Sequence, residues 1–155
     1  MRAFQHFFAL SVWCAVLSVS GPRAAYAAEV LPGPIPATLI RVVDGDTVEV
    51  RARIWLGQEV LVAVRLAGID AAERRGKCSE ERALAEAATD HLRVFEGSAI
   101  SLHGVAPDKF GGRVQAHVRH LVAGDLSASL LNAGLARAYG GGRRGSWCSG
   151  VALID

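Results

Sequence analysis

Apolar and polar residues alternate along much of the first half of the chain and predict three strands joined by short turns. The predicted strands cover residues 38–43, 47–55 and 59–66. The second strand alternates most regularly, as is typical of a half-buried strand, with one apolar face made of Val48, Val50, Ala52 and Ile54. The pairs Asp44-Gly45 and Gly57-Gln58 favour turns between these strands. Residues 29–36, which are rich in proline, are expected to form an extended lead-in.

A helical repeat follows the third strand. Leu84, Ala88, Leu92 and Phe95 recur at helical spacing and predict an amphipathic helix over residues 80–95. Ser79 is the predicted N-cap, because acidic residues follow it in the first turn. Gly97 is expected to end this helix.

The second half of the chain adds two strands and a short helix. The predicted strands are residues 98–105 and 113–122, and the predicted helix is 126–132. Residues 140–144 form a basic, glycine-rich loop that we expect to be flexible. Five strands with a helix after the third predict a mainly β fold with helices, an OB-fold five-stranded barrel with two or three surface helices.

The first 28 residues have the layout of a secretory signal peptide rather than of a folded segment. Arg2 precedes an apolar run, residues 7–19, that is too short to span a bilayer, and Ala25-Tyr26-Ala27 is a small-residue cleavage pattern. The alternative is an uncleaved membrane anchor, which the short run disfavours. We expect an exported protein, periplasmic or secreted, with one domain over residues 29–155 and no stable membrane association after cleavage.

Removal of this segment changes both the charge and the cysteine count. Residues 1–28 contain two of the 17 basic residues and none of the 15 acidic ones, so 15 of each remain. Binding of nucleic acid would therefore depend on local arginines rather than on net charge. Two cysteines remain, Cys78 and Cys148, and an even pair in an exported chain predicts one disulfide.

Three aspartates lie next to the predicted strands. Asp44 and Asp46 flank Gly45, and Asp70 follows the third strand. Carboxylate oxygens are the ligands that Ca²⁺ prefers. Asp44-Gly45 alone would fit an ordinary surface turn, but a second acid at the matching end of a neighbouring strand favours a metal site.

Arg65 lies between Val64 and Leu66 in an otherwise apolar strand. A charge in such a position is costly unless it is paired or functional. One interpretation is a structural arginine paired with an acid at the rim of the barrel. The other is a phosphate-binding residue, since a guanidinium matches phosphate oxygens in a bidentate fork.

These motifs, in this order, resemble the thermonuclease (staphylococcal nuclease-like) family. The resemblance covers roughly residues 38–139 and is carried by Asp44-Gly45-Asp46-Thr47, by Arg65-(x4)-Asp70-(x2)-Glu73 and by Asp108-Lys109-Phe110-Gly111-Gly112-Arg113. It implies an OB-fold barrel that cleaves DNA and RNA with Ca²⁺ and little sequence specificity, leaving 3′-phosphate ends. A monomer is the expected state.

The resemblance also implies ligands for the metal. Asp46 and Asp70 would bind Ca²⁺ directly, together with the backbone carbonyl of Ala71. Asp44 would lie close to the ion, through water, and Thr47 would help to order the ligands.

The remaining roles concern the substrate. Arg65 and Arg113 would hold the scissile phosphate, and Glu73 would orient or deprotonate the attacking water. Lys109 and Tyr139 are candidates for contacts with substrate phosphate and base. A cation and two guanidiniums would neutralise an anionic phosphodiester that otherwise resists attack.

The chain departs from the family pattern at three points. Ala71-Ala72 replaces Thr-Pro before Glu73, and Phe110 replaces a tyrosine. Gly111-Gly112 adds one residue before Arg113, so either Arg113 reaches the second arginine position through a bulge or that role is unfilled; we favour the bulge.

Two other functions fit part of this pattern. A non-catalytic OB-type module that binds nucleic acid or a protein partner is the main alternative to an enzyme. An exported domain that binds Ca²⁺ only for stability would explain the aspartates but not Arg65.

Overall fold

Eight strands and two helices occupy residues 29–148, the range that the computed structural model describes. In chain order they are β1 (Ile35–Asp44), β2 (Thr47–Trp55), β3 (Gln58–Leu66), β4 (Ile69–Ala71), α1 (Ser79–Arg93), β5 (Ala99–Pro107), β6 (Arg113–His120), β7 (Gly124–Asp125), α2 (Leu126–Asn132) and β8 (Ala136–Ala138). The predicted signal peptide, residues 1–28, lies outside this range, as do residues 149–155.

Five of the strands close into a barrel, which confirms the predicted architecture. β1, β2 and β3 form an antiparallel meander, and β5 pairs antiparallel with both β1 and β6. A parallel pairing of β3 with β6, in which Val64 lies opposite Val114, closes the barrel. This strand order, with α1 between the third and fourth barrel strands, is that of an OB-type fold.

The interior of the barrel is filled by the inward-facing residues of the alternating strands. Each strand contributes side chains to one continuous core, including Leu39, Val48, Val50, Val64, Leu66, Leu102 and Val118. Ile54, predicted to share the apolar face of β2, is instead 60% exposed. The end of the β2–β3 hairpin extends beyond the core, so the alternation continues there without burial.

Helix α1 covers one end of the barrel with its small apolar face. Ala85, Ala88 and Leu92 are fully buried. The predicted N-cap was wrong by one residue: the cap is Cys78, whose Sγ accepts a hydrogen bond from the Glu81 N–H at 3.4 Å. Within residues 29–148, no helix is long and apolar enough to cross a membrane.

Other differences from the predicted elements lie at the ends of strands. β1 begins at Ile35 rather than Thr38, because the proline-containing lead-in pairs with β5, where Ile35 lies opposite Leu102. β6 ends at His120 rather than at residue 122, since the chain turns toward β7. The short strands β4 and β8 pair with each other and were not predicted.

A disulfide joins Cys78 to Cys148, as predicted, with the two Cα atoms 5.9 Å apart. It connects the start of α1 to the segment that follows β8. The last described residues of the chain are therefore fixed beside the loop that leads from β4 to α1.

Candidate active site

The turn between β1 and β2 brings Asp44 and Asp46 to the barrel rim. Gly45, between them, is buried against α1 and β4, and a Cβ at this position would lie 2.9 Å from that of Ala88. Only a glycine therefore lets the turn pack this closely. The close packing fixes the backbone from which both aspartates project.

Asp46 and Arg65 form a buried ion pair on neighbouring strands. Arg65 lies opposite Thr47 in the β2–β3 ladder, and its Nη1 is 2.5 Å from Asp46 Oδ2. Both side chains are only 9% exposed. Thr47 donates a hydrogen bond to Asp46 Oδ1 at 2.8 Å. The carboxylate is thus held from two sides, which offsets part of the cost of burying it.

Asp70 reaches the same region from β4. Its Oδ1 lies 3.8 Å from Arg65 Nη2 and 3.0 Å from Arg144 Nε. Although Oδ1 is buried, neither contact has the geometry of a hydrogen bond, so the charge of this oxygen is offset while its hydrogen-bonding capacity is not. The other oxygen, Oδ2, accepts a hydrogen bond from Trp147 Nε1 at 3.3 Å.

A polar pocket of about 430 Å³ brings most of the predicted site residues together. Its lining includes Asp44, Asp46, Thr47, Arg65, Glu73, Lys109 and Arg113. Asp70 and Ala71 lie behind this lining, buried on β4. Tyr139 is not part of the lining, and its hydroxyl donates a hydrogen bond to the Gly142 carbonyl at 2.7 Å. A larger depression of about 570 Å³, between β3, β5 and β6, has a mainly apolar lining.

Arg113 reaches the pocket from the first position of β6, despite the additional glycine before it. Gly112 adopts a left-handed conformation (φ 77°), which allows the extra residue in the loop. Arg113 Nε forms an ion pair with Asp108. Burial raises the pKa of Asp108, but the hydrogen bond and charge of Arg113 outweigh this effect and lower that pKa below its ordinary value.

Phe110 lies between the two cations of this loop. Lys109 Nζ is 5.0 Å from the centroid of its ring, and Arg113 Cζ is 4.8 Å away. Both distances are within the range of cation–π interactions. Phe110 is 54% exposed and lines the pocket, so an aromatic surface lies beside the two positive charges.

Arg144 and Trp147 belong to the site but were missed in the sequence. Arg144 pairs with both Asp70 and Glu73. Burial lowers the pKa of Arg144, but these two acids outweigh it and hold the pKa above its ordinary value. The sequence could have indicated this position of Arg144. Arg144 is four residues from Cys148, and Cys78, the predicted disulfide partner of Cys148, is close to Glu73 in the chain.

Asp44 differs electrostatically from the other aspartates. Burial raises its pKa above the ordinary value, and the negative charges of Asp46 and Glu73 add to this effect. The Gly45 N–H donates a hydrogen bond of 2.9 Å to Asp44 Oδ1, and this hydrogen bond opposes the upward shift of the pKa. A bound cation would oppose this shift, because a nearby positive charge favours the ionised form of a carboxyl group.

The donors at this site match a hard cation in kind, although they are not gathered around one point. Asp44, Asp46, Asp70 and Thr47 offer only oxygen, and the unsatisfied Oδ1 of Asp70 is a buried acceptor. Among residues 29–148, the one group of three potential ligands within 4.8 Å of one another is Cys78, Glu81 and Cys148. That group contains the disulfide, so its sulfurs are not thiolate ligands.

Replacement of Asp108 with asparagine is expected to lower the free energy of unfolding by about 1 kcal/mol at pH 7, through loss of its ion pair. Because the pKa of Asp108 is lowered in the folded state, its contribution is complete above the pKa of the unfolded chain and disappears as the pH falls through the folded-state pKa. Thermal unfolding should therefore separate wild type from Asp108→Asn at pH 7 and not at strongly acidic pH. Glu29→Gln, at an exposed acid, serves as the control. An equal difference at every pH would contradict the prediction.

A comparison of this chain with protein-family models finds no match, and a comparison with curated proteins finds none either.

Proposed function

We propose that this protein is an exported Ca²⁺-dependent nuclease that hydrolyses phosphodiester bonds of DNA and RNA with little sequence specificity. The observation that carries the proposal is one pocket lined by two arginines, Arg65 and Arg113, together with the carboxylates of Asp46 and Glu73. This combination can hold a phosphate and activate a water molecule beside it.

The arginines are the proposed phosphate ligands. The guanidinium of Arg65 is fixed by Asp46 and by the Ile69 carbonyl at 3.3 Å, and that of Arg113 is fixed by Asp108. Groups oriented in advance can stabilise charge that develops on phosphate oxygens without reorganising during the reaction. Lys109 adds a third cation at the pocket.

Glu73 is the proposed general base. Its side chain is 52% exposed and lines the pocket, so it is accessible to water. Glu73 would take a proton from a water molecule whose oxygen attacks phosphorus. The bond from phosphorus to the 5′-oxygen would break and that oxygen would take up a proton from solvent, leaving a 3′-phosphate end and a 5′-hydroxyl end, as the resemblance implies.

The metal-binding role is proposed for Asp46, Asp70, Asp44, Thr47 and the Ala71 carbonyl. Ca²⁺ bound there would supply positive charge to the phosphate and offset the mutual repulsion of the acids. The raised pKa of Asp44 and the unsatisfied Asp70 Oδ1 support a cation in this position.

Low sequence specificity and export have separate support. The cations that line the pocket, among them Arg65, Lys109 and Arg113, are suited to a phosphate, whereas readout of sequence requires contacts to base edges. The disulfide is typical of proteins in oxidising compartments, which fits export of the chain to the periplasm or the medium. A monomer is proposed.

A non-catalytic module that binds nucleic acid is the second candidate, and one contact favours it. Glu73 is paired with Arg144, and a carboxylate held by a guanidinium is a weaker base than a free one. Such a module would use the same arginines for phosphate and would not cleave it.

Digestion of heat-denatured DNA by residues 29–155 tests the proposal. We expect cleavage with Ca²⁺, none with a chelator, and a loss of roughly 10²–10⁴-fold in Glu73→Gln, the usual contribution of a general base. Glu80→Gln, at an exposed acid on α1, should retain full activity. Folded wild-type protein that binds DNA but does not cleave it would establish the second candidate instead.

A further inference from the structure

Arg144 occupies the position of a cation between two acids that are assigned to different tasks. Its Nε lies 3.0 Å from Asp70 Oδ1, and its Nη1 contacts Glu73 Oε1. Asp70 is a proposed metal ligand, and Glu73 is the proposed base. One guanidinium thus bridges the metal-binding and water-activating parts of the pocket.

The segment that carries Arg144 is fixed to the barrel by four contacts. Cys148 is bonded to Cys78, Trp147 donates a hydrogen bond to Asp70 Oδ2, and Arg137 stacks on the Trp147 ring with its Cζ 3.6 Å from the centroid. Arg137 Nη1 also donates a hydrogen bond to the Ser146 carbonyl at 2.8 Å. Arg144 therefore stays near the acids at a high effective concentration, even when its side chain swings away.

Arg144 does not fully satisfy Asp70, so a different cation could bind this carboxylate more strongly. Arg144 offsets the charge of the buried Oδ1 without forming a hydrogen bond to it. A buried carboxylate oxygen without such a partner is costly. A divalent cation carries twice the charge and binds carboxylate oxygens directly, so it would satisfy Asp70 more fully than the guanidinium does.

We propose that Arg144, which pairs with both Asp70 and Glu73, is a tethered counter-ion that competes with Ca²⁺ for Asp70 and thereby sets the calcium affinity of the site. The inference rests on the proposed function, since it takes Ca²⁺ as the metal. Without metal, Arg144 offsets part of the negative charge of these two acids and thereby stabilises the barrel rim. With metal, the guanidinium leaves Asp70 but remains within the pocket, because the disulfide holds its segment in place. Glu73 is then released for its role with water.

Calcium binding, measured without substrate, tests this competition. Isothermal titration calorimetry with CaCl₂ and the change in Trp147 fluorescence both report on the site, the latter in a Trp55→Phe background that removes the other described tryptophan. Arg144→Gln removes the counter-ion. Arg143→Gln is the matched control, because the neighbouring Arg143 is exposed and has the same charge.

We expect Arg144→Gln to bind Ca²⁺ roughly 5- to 150-fold more tightly than wild type, the usual range for coupling between two sites. Its melting temperature without metal should fall and should recover with Ca²⁺. Arg143→Gln should change neither quantity beyond a small effect of net charge.

Two results would overturn the inference, and only the second would also contradict the proposed calcium site. If wild type binds Ca²⁺ and Arg144→Gln binds it no more tightly than Arg143→Gln does, the competition is absent and the proposed nuclease is unaffected. If no variant binds Ca²⁺ at millimolar concentrations, the inference fails together with the proposed metal.

Discussion

Replacement of Arg65 with alanine is expected to reduce DNA cleavage by ~10³–10⁵-fold, the range for loss of an arginine that stabilises a transferring phosphoryl group. The same change should lower the free energy of unfolding by about 3–5 kcal/mol, because it removes one partner of a buried pair and leaves Asp46 without its counter-ion. Initial rates of DNA digestion and urea unfolding measure the two effects. They need to be separated, since an unfolded variant would also be inactive.

Two further variants separate them. Arg65→Lys keeps the charge and loses the bidentate fork, so we expect most of the stability to return and most of the activity to stay lost. Arg51→Ala removes an exposed arginine of β2 whose nearest acid, Glu59, is 3.9 Å away, and should change stability by less than about 0.5 kcal/mol. Full activity in a folded Arg65→Ala would contradict the role in phosphate binding and leave only the structural one.

The first three strands of the barrel could be predicted from the sequence because the patterns that indicate them are local. Alternation in β2 and the turn pairs at Asp44-Gly45 and Gly57-Gln58 follow from neighbouring residues alone. The short strands β4 and β8 could not be predicted in this way. They have three residues each and exist through their pairing, with Asp70 opposite Arg137, across a long stretch of sequence.

The same distinction applies to the site. Asp44 and Asp46 lie on a turn next to the strand that carries Arg65, because β1, β2 and β3 are consecutive hairpin strands. That these residues lie close together could therefore be predicted from the sequence. Tyr139 was predicted to contact substrate, and this stays a prediction; its position depends on β8, and its hydroxyl donates a hydrogen bond to the Gly142 carbonyl. Arg144 was assigned to a flexible loop, because its partners are acids about 70 positions earlier in the chain.

The disulfide is expected to contribute as much to stability as the buried pair of Arg65 and Asp46. The double variant Cys78→Ala/Cys148→Ala should lose ~3–5 kcal/mol of unfolding free energy, because a cross-link between residues 70 positions apart restricts the unfolded chain over a long loop. Urea unfolding of wild type and of the double variant, each with and without a reductant, measures the loss.

The four conditions also distinguish the cross-link from the packing of the two side chains. Reductant should lower the stability of wild type nearly to that of the double variant and leave the double variant unchanged. The lost stability should be accompanied by release of the segment that the bond fixes, seen as faster hydrogen exchange from Arg144 to Cys148 than from β2 or β3. If the double variant matches oxidised wild type in stability, the bond contributes nothing beyond the contacts of Trp147 and Arg144. Those two side chains would then be sufficient to hold the segment against the acids.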